Sequence, residues 1–227
     1  MEENRGRVLL YLNKKKPWMT YILIGITVAV YVLELIFGAV DDTYRLVLMG
    51  AKFNPLIQAG QYWRFLTSAL LHANIAHIAM NMVSLYLWGP TIETLYGKWK
   101  MLCIYIISAV MGTALSYFLS PYVSVGASGA IFGLFGTLIS IRIDAPDFFK
   151  KVFGKQLAML IGINVLNGIL NRGIDNFGHI GGFIGGVLAS EMLGTFKMKH
   201  SALRTIMGAV LLSGILLAII VIGPVAG

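Results

Sequence analysis

Charge is what this sequence has least of. Asp, Glu, Lys and Arg together make up 12% of its 227 residues, whereas 57% are hydrophobic. A soluble domain averages about 25% charged residues. That contrast, with a mean hydropathy of +0.78, excludes a soluble globule and implies an integral membrane protein. Cysteine is nearly absent too. Cys103, the single one, lies inside an apolar run and reads as buried. It excludes an intrachain disulfide and gives no hint of a cysteine-based metal site. There is no H-E-x-x-H, and His72 and His77 stand five apart, so a zinc protease is excluded. No two Asp residues fall within apolar runs, which argues against an aspartyl mechanism. No metal or other cofactor is expected. Proline-rich linkers, low-complexity tracts and long repeats are missing, so one compact domain is expected. A small transporter of paired broken helices would show internal symmetry, and none is visible.

The basic residues that are present give a net charge of +8. They sit between apolar runs, where a membrane-orientation signal explains them better than nucleic acid does. The first apolar run, Trp18–Phe37, is long enough to span, and Gly38-Ala39-Val40 is a poor signal-peptidase site. Residues 39–62 read as an interfacial loop. Trp63–Trp88 divides into an interfacial piece, Trp63–Leu71, and a helix from about His72. Further spans are expected at Met101–Leu119, Ser124–Ile143, Gln156–Leu170, Asn176–Leu193 and Thr205–Val225. With the N-terminus inside, seven alternating spans leave only Arg45, Lys52, Arg64 and Arg172 outside, four of the eighteen Lys and Arg. The C-terminus is then outside.

That orientation brings two residues to one depth. Ser128 is expected about one turn into the fourth span, and His179 about one turn into the sixth. Both spans enter from the outer face, so both residues lie several Å below it at about 1.5 Å rise per residue. Ser128 alone reads first as a small residue at a helix contact, and G-x-S-x-G is not matched because Ala130 fills the last place. An ionisable residue within a span is rarer and marks function more often. The Ser128 run carries Gly126, Gly129, Gly133 and Gly136, and the His179 run carries Gly178, Gly181, Gly182, Gly185 and Gly186. Small residues let helices approach closely, which would make Ser128 and His179 a nucleophile and its base.

Other polar residues carry weaker readings. His77 and Asn81, four apart on one helix face, are either oxyanion donors or interhelical glue. Asp175 reads as an N-terminal cap of the His179 helix rather than a charge relay. His72 reads as a loop anchor near the outer interface, Glu34 as interfacial and His200 as solvated. Asn164, Asn167 and Asn171 form a stripe facing the bundle or a wet cavity.

Taken together, Trp63-Arg64, H-A-N-I-A-H-I-A-M-N at His72–Asn81, E-T-L-Y-G at Glu93–Gly97, G-A-S-G at Gly126–Gly129 and H-I-G-G-F-I-G-G at His179–Gly186 resemble the rhomboid family of intramembrane serine proteases. The resemblance covers about Trp18 to Gly194. It implies an all-α, polytopic membrane helix bundle with a six-helix core over 17–194. A basic cytoplasmic segment, 1–16, would precede the core. A basic loop and a seventh transmembrane helix, 195–227, would follow it. It implies Ser128 as nucleophile, His179 as general base, and an oxyanion hole from His77, Asn81 and the Ser128 backbone N–H. Gly126 is grouped with these binding residues. Trp63-Arg64 would belong to a membrane-embedded loop. Many relatives have Tyr four residues after the nucleophile, packed on the histidine. Here Phe132 keeps a stacking ring without the hydroxyl.

The expected activity is hydrolysis of peptide bonds in or near transmembrane segments of other membrane proteins. The alternative is a non-catalytic relative that binds membrane-protein helices. The expected partners are transmembrane substrates and the lipid bilayer, with no nucleic acid, and the oligomeric state is left open. The expected setting is a bacterial-type plasma membrane, with the site opening to the outer face.

Overall fold

The computed structural model describes residues 16–153, 159, 162, 173–194 and 201–223. The expected span Gln156–Leu170 with Asn164 and Asn167, together with Asn171, Arg172, His200 and nearly all of the basic N-terminal segment, lies outside the described residues. Among those described there are ten α-helices and no strand. They are α1 (Trp18–Ile36), α2 (Thr43–Met49), α3 (Asn54–Gln58), α4 (Arg64–Thr67), α5 (Ile75–Tyr96), α6 (Lys98–Leu119), α7 (Ser128–Asp144), α8 (Pro146–Val152), α9 (Asn176–Leu193) and α10 (Ala202–Ile222). The protein is a polytopic membrane helix bundle. Helices α1, α6 and α10 are each long and apolar enough to cross a membrane. A 3₁₀ turn, Ser68–Leu70, extends α4, and the pair meets α5 at a bend of 94°. Trp63–Trp88 is therefore divided into two pieces, as expected, with α5 starting at Ile75 rather than His72.

Helix ends are satisfied by side chains, as a low-dielectric setting requires. Glu93 on α5 accepts hydrogen bonds from the backbone N–H groups of Met19 and Thr20 (3.0 and 2.9 Å), capping α1 from another helix. The Arg45 guanidinium donates to the carbonyls of Phe37 and Gly38 beyond the other end of α1. Arg64, almost completely buried, donates to the carbonyls of Val47 and Ala51 and folds the loop onto itself.

The centre of the bundle is α9, packed most extensively against α6 and α7. Its glycines face backbone: a Cβ on Gly182 would collide with the Gly129 carbonyl, and one on Gly186 with the Gly133 carbonyl. This is the close helix approach expected from the two glycine runs. Farther along the same two helices, the Ser140 and Ser190 hydroxyls are 2.6 Å apart. At the end remote from Ser128, Arg204 of α10 pairs with Asp144 of α7 and Glu191 of α9. Arg204 thus joins three helices.

Three further expectations are corrected. The fourth span starts at Ser128, not Ser124, because residues 124–127 run extended and turn before the helix. Cys103 is exposed on the outside of α6, since an apolar run does not distinguish a lipid-facing side from a protein-facing one. Glu34 is fully buried rather than interfacial: its two oxygens face the His72 backbone N–H at 3.1 and 3.2 Å.

Candidate active site

Ser128 is the first residue of α7. A first helical residue has a backbone N–H with no intrahelical acceptor. The chain reaches it through an extended stretch in which Ser124 and Lys52 exchange backbone hydrogen bonds of 3.0 and 3.1 Å. Gly126 then turns the chain with φ +122°, a left-handed conformation that suits glycine. Space demands glycine there as well. A Cβ on Gly126 would stand 2.6 Å from His77 Nε2 and 3.8 Å from Asn81 Nδ2. Gly126 is therefore a bend pressed against the α5 polar pair, not part of a helix face, and its N–H is held by the Ser68 carbonyl at 2.9 Å.

His179 stands one turn into α9, as its spacing predicts, whereas Ser128 stands at the very start of α7. The two nevertheless meet: His179 Nε2 lies 2.8 Å from Ser128 Oγ. The Phe132 ring, one turn below Ser128, stacks on the imidazole with centroids 4.2 Å apart and planes 8° apart. Stacking fixes the ring plane without any phenolic hydroxyl. Asp175 caps α9 by accepting the Gly178 N–H at 2.9 Å, and its other oxygen accepts the Ser124 hydroxyl at 2.6 Å. No hydrogen bond among the described residues joins its carboxylate to the imidazole.

His77 and Asn81 line the same cleft of about 480 Å³ as Ser128, His179, Phe132 and Asp175. The Asn81 amide donates to the His77 carbonyl of its own helix at 3.1 Å. His72 anchors a loop, as expected, from inside the fold. It is fully buried, its ring meets His77 edge-on at 5.0 Å, and its Nε2 lies 3.5 Å from the Ala127 backbone N–H. His72 thus stands behind the bend that leads to Ser128. Among the described residues no cluster of three His, Cys, Asp or Glu side chains is gathered for a metal.

The family model for the Rhomboid domain covers residues 59–196. The chain belongs to the rhomboid family. It is 38% identical over 222 residues to the rhomboid protease GluP of Bacillus subtilis, an alignment covering 98% of this chain and 43% of GluP. It is 33% identical over 200 residues to the rhomboid protease AarA of Providencia stuartii, covering 76% of this chain and 71% of AarA. The RHOMBOID-like protein 2 of Arabidopsis thaliana is 39% identical over 155 residues, which cover 66% of this chain and 48% of that protein. The chain thus spans less than half the length of GluP and of the plant protein. The rhomboid match takes in the α5 polar pair, the Ser128 bend and the His179 helix, but not α1 or α10.

Proposed function

We propose that this rhomboid protein is an intramembrane serine protease that cleaves transmembrane substrates in or near their membrane-spanning segments. Ser128 is the nucleophile and His179 the general base. The observation that carries this reading is the 2.8 Å approach of His179 Nε2 to Ser128 Oγ inside an open cleft. As Oγ attacks the scissile carbonyl carbon, His179 takes its proton. The carbonyl oxygen gains the negative charge and is met by the Ser128 backbone N–H and by the His77 and Asn81 side chains. Collapse breaks the C–N bond, and the departing amine takes the proton from His179, leaving an ester on Ser128. A water molecule, deprotonated by His179, attacks the ester and restores the hydroxyl. Two residues suffice because stacking on Phe132 orients the imidazole, a task that a buried Asp performs in the familiar triad.

The cleft opens at the end where α7 and α9 begin. The Lys and Arg distribution assigns that end to the outer face and the N-terminus to the cytoplasm. A non-catalytic, helix-binding relative has no use for an imidazole held against a serine hydroxyl. The test is a panel of single-span membrane proteins incubated with purified protein in detergent. Wild type is expected to cleave at least one and to react with a fluorophosphonate at Ser128. Ser128→Ala and His179→Ala are expected to do neither while remaining folded. Cleavage by Ser128→Ala at the wild-type rate would overturn the assignment.

A further inference from the structure

Two side-chain hydrogen bonds tie the approach to α7 to the start of α9. One is the Ser128–His179 contact. The other lies four residues earlier on both strands of chain, where the Ser124 hydroxyl donates to Asp175 at 2.6 Å. Both close the same loop of chain, with partners 51 residues apart in each case. The second bond uses the Asp175 oxygen that does not cap Gly178.

Ser124 is itself immobilised from the opposite side. Its backbone N–H and C=O both bond to Lys52. The Lys52 side chain is fully buried and donates to the carbonyls of Ser120 and Tyr122 at 2.6 and 2.9 Å. Asn54 adds donors to the carbonyls of Tyr117 and Ser120, both at 3.1 Å. The stretch leading to the nucleophile is therefore pinned to the loop between α2 and α3, and Asp175 joins the first turn of α9 to that pinned stretch.

We infer that Ser124 and Asp175 are positioning residues, a latch that holds the first turn of α9 at the height and rotation where His179 Nε2 reaches Ser128 Oγ. The helix interface below does not provide that control alone. Glycine backbones in contact give close approach but few side-chain ridges to resist sliding or rotation. A catalytic pair must be held to within about 0.5 Å. A hydroxyl-to-carboxylate bond is charge-assisted, and so among the stronger kinds. It lies one turn from the reacting atoms. The inference rests on the reading of Ser128 and His179 as the reacting pair.

The experiment compares kcat, KM and melting temperature of full-length wild type, Ser124→Ala, Ser124→Thr and Asp175→Ser on one cleavable substrate. Ser124→Ala removes the latch but leaves the Asp175 cap on Gly178. Asp175→Ser keeps a capping hydroxyl too short to reach Ser124, so it removes the latch by a second route. Each is expected to lower kcat about 10-fold, within the about 10²-fold that a 1 Å misplacement costs. KM and melting temperature should stay near wild type, and Ser124→Thr should restore kcat. An active wild type with Ser124→Ala and Asp175→Ser equally active overturns the latch alone. So does a fall in kcat that tracks the melting temperature and is not rescued by Ser124→Thr. A wild type that neither cleaves nor labels with fluorophosphonate overturns the protease reading and the latch with it.

Discussion

The rings of Phe132 and His179 lie almost parallel, 4.2 Å between centroids, with Phe132 one helical turn after Ser128. The residue that stacks on the imidazole is thus carried by the helix that carries Ser128. Phe132→Ala should leave His179 free to turn about its side-chain torsions and lower kcat by about 10-fold or more, on the scale of about 10²-fold for 1 Å of misplacement. Phe132→Tyr keeps the ring and should stay within a few-fold of wild type. Substrate cleavage kinetics decide the matter; equal rates for Phe132→Ala and wild type would remove the stacking role.

His77 and Asn81 are expected to act late in the approach to the transition state. The Asn81 amide is engaged with its own helix at the His77 carbonyl, and catalytic hydrogen bonds often tighten only once substrate is bound. Asn81→Ala or His77→Ala should lower kcat more than it raises KM. Loss of one oxyanion donor typically costs about 10²–10³-fold, and the remaining donors reduce that here. Fluorophosphonate labelling of Ser128 should slow without stopping. A variant with intact turnover and a lower melting temperature would make the residue interhelical glue.

Gly182 tests the helix contact that brings Ser128 and His179 together. A Cβ there meets the Gly129 carbonyl, which cannot move without moving α7. Gly182→Ala should lower stability by about 1–3 kcal/mol, the usual cost of overpacking, and activity should fall with it. Gly25 faces open space on α1, so Gly25→Ala is the matched control and should melt like wild type. Thermal unfolding in detergent compares the two.

Lys52 gives a pH dependence. Burial lowers its ammonium to about 8, against a smaller opposing pull from Asp175, while an unfolded chain holds a lysine proton up to about 10.4. Between those values the unfolded state binds more protons than the folded one. Stability contributed by this site should therefore rise with pH from about 8 to about 10.4 and be flat below 8. The difference in melting temperature between wild type and Lys52→Met, measured from pH 7 to 10, should carry that slope. A constant difference would show that Lys52 does not titrate in this window.

The meeting of Ser128 and His179 was legible in the sequence because position along a helix is a matter of counting residues. Ser128 and His179 fall near the starts of their helices, and their glycines announce a close contact. Conformation between spans was not legible. Val123, Val125 and Ala127 continue an apolar run without a break, so nothing in hydropathy says that Gly126 turns the chain and that α7 begins two residues later. Burial of polar groups was hidden for a related reason. Glu34 ends a span and reads as interfacial until the fold brings the His72 backbone N–H against it. Lys52 reads as a loop cation until its ammonium is seen to bind the carbonyls of Ser120 and Tyr122. The sidedness of Cys103 was lost because lipid and protein interior are equally apolar.

The late start of α7 sets a length. Its 17 residues cover roughly 25 Å at about 1.5 Å each, against a hydrocarbon layer about 30 Å thick. The helix that carries Ser128 falls short of a full crossing by about one turn. If its far end, anchored at Asp144 by Arg204, lies at one boundary, the shortfall falls at the Ser128 end and is filled by the extended stretch and the cleft. On the proposed reading of Ser128 as nucleophile, a peptide bond offered to it is then drawn about 5 Å beneath the opposite boundary. The number of residues in one helix would then set the depth of the Ser128 hydroxyl.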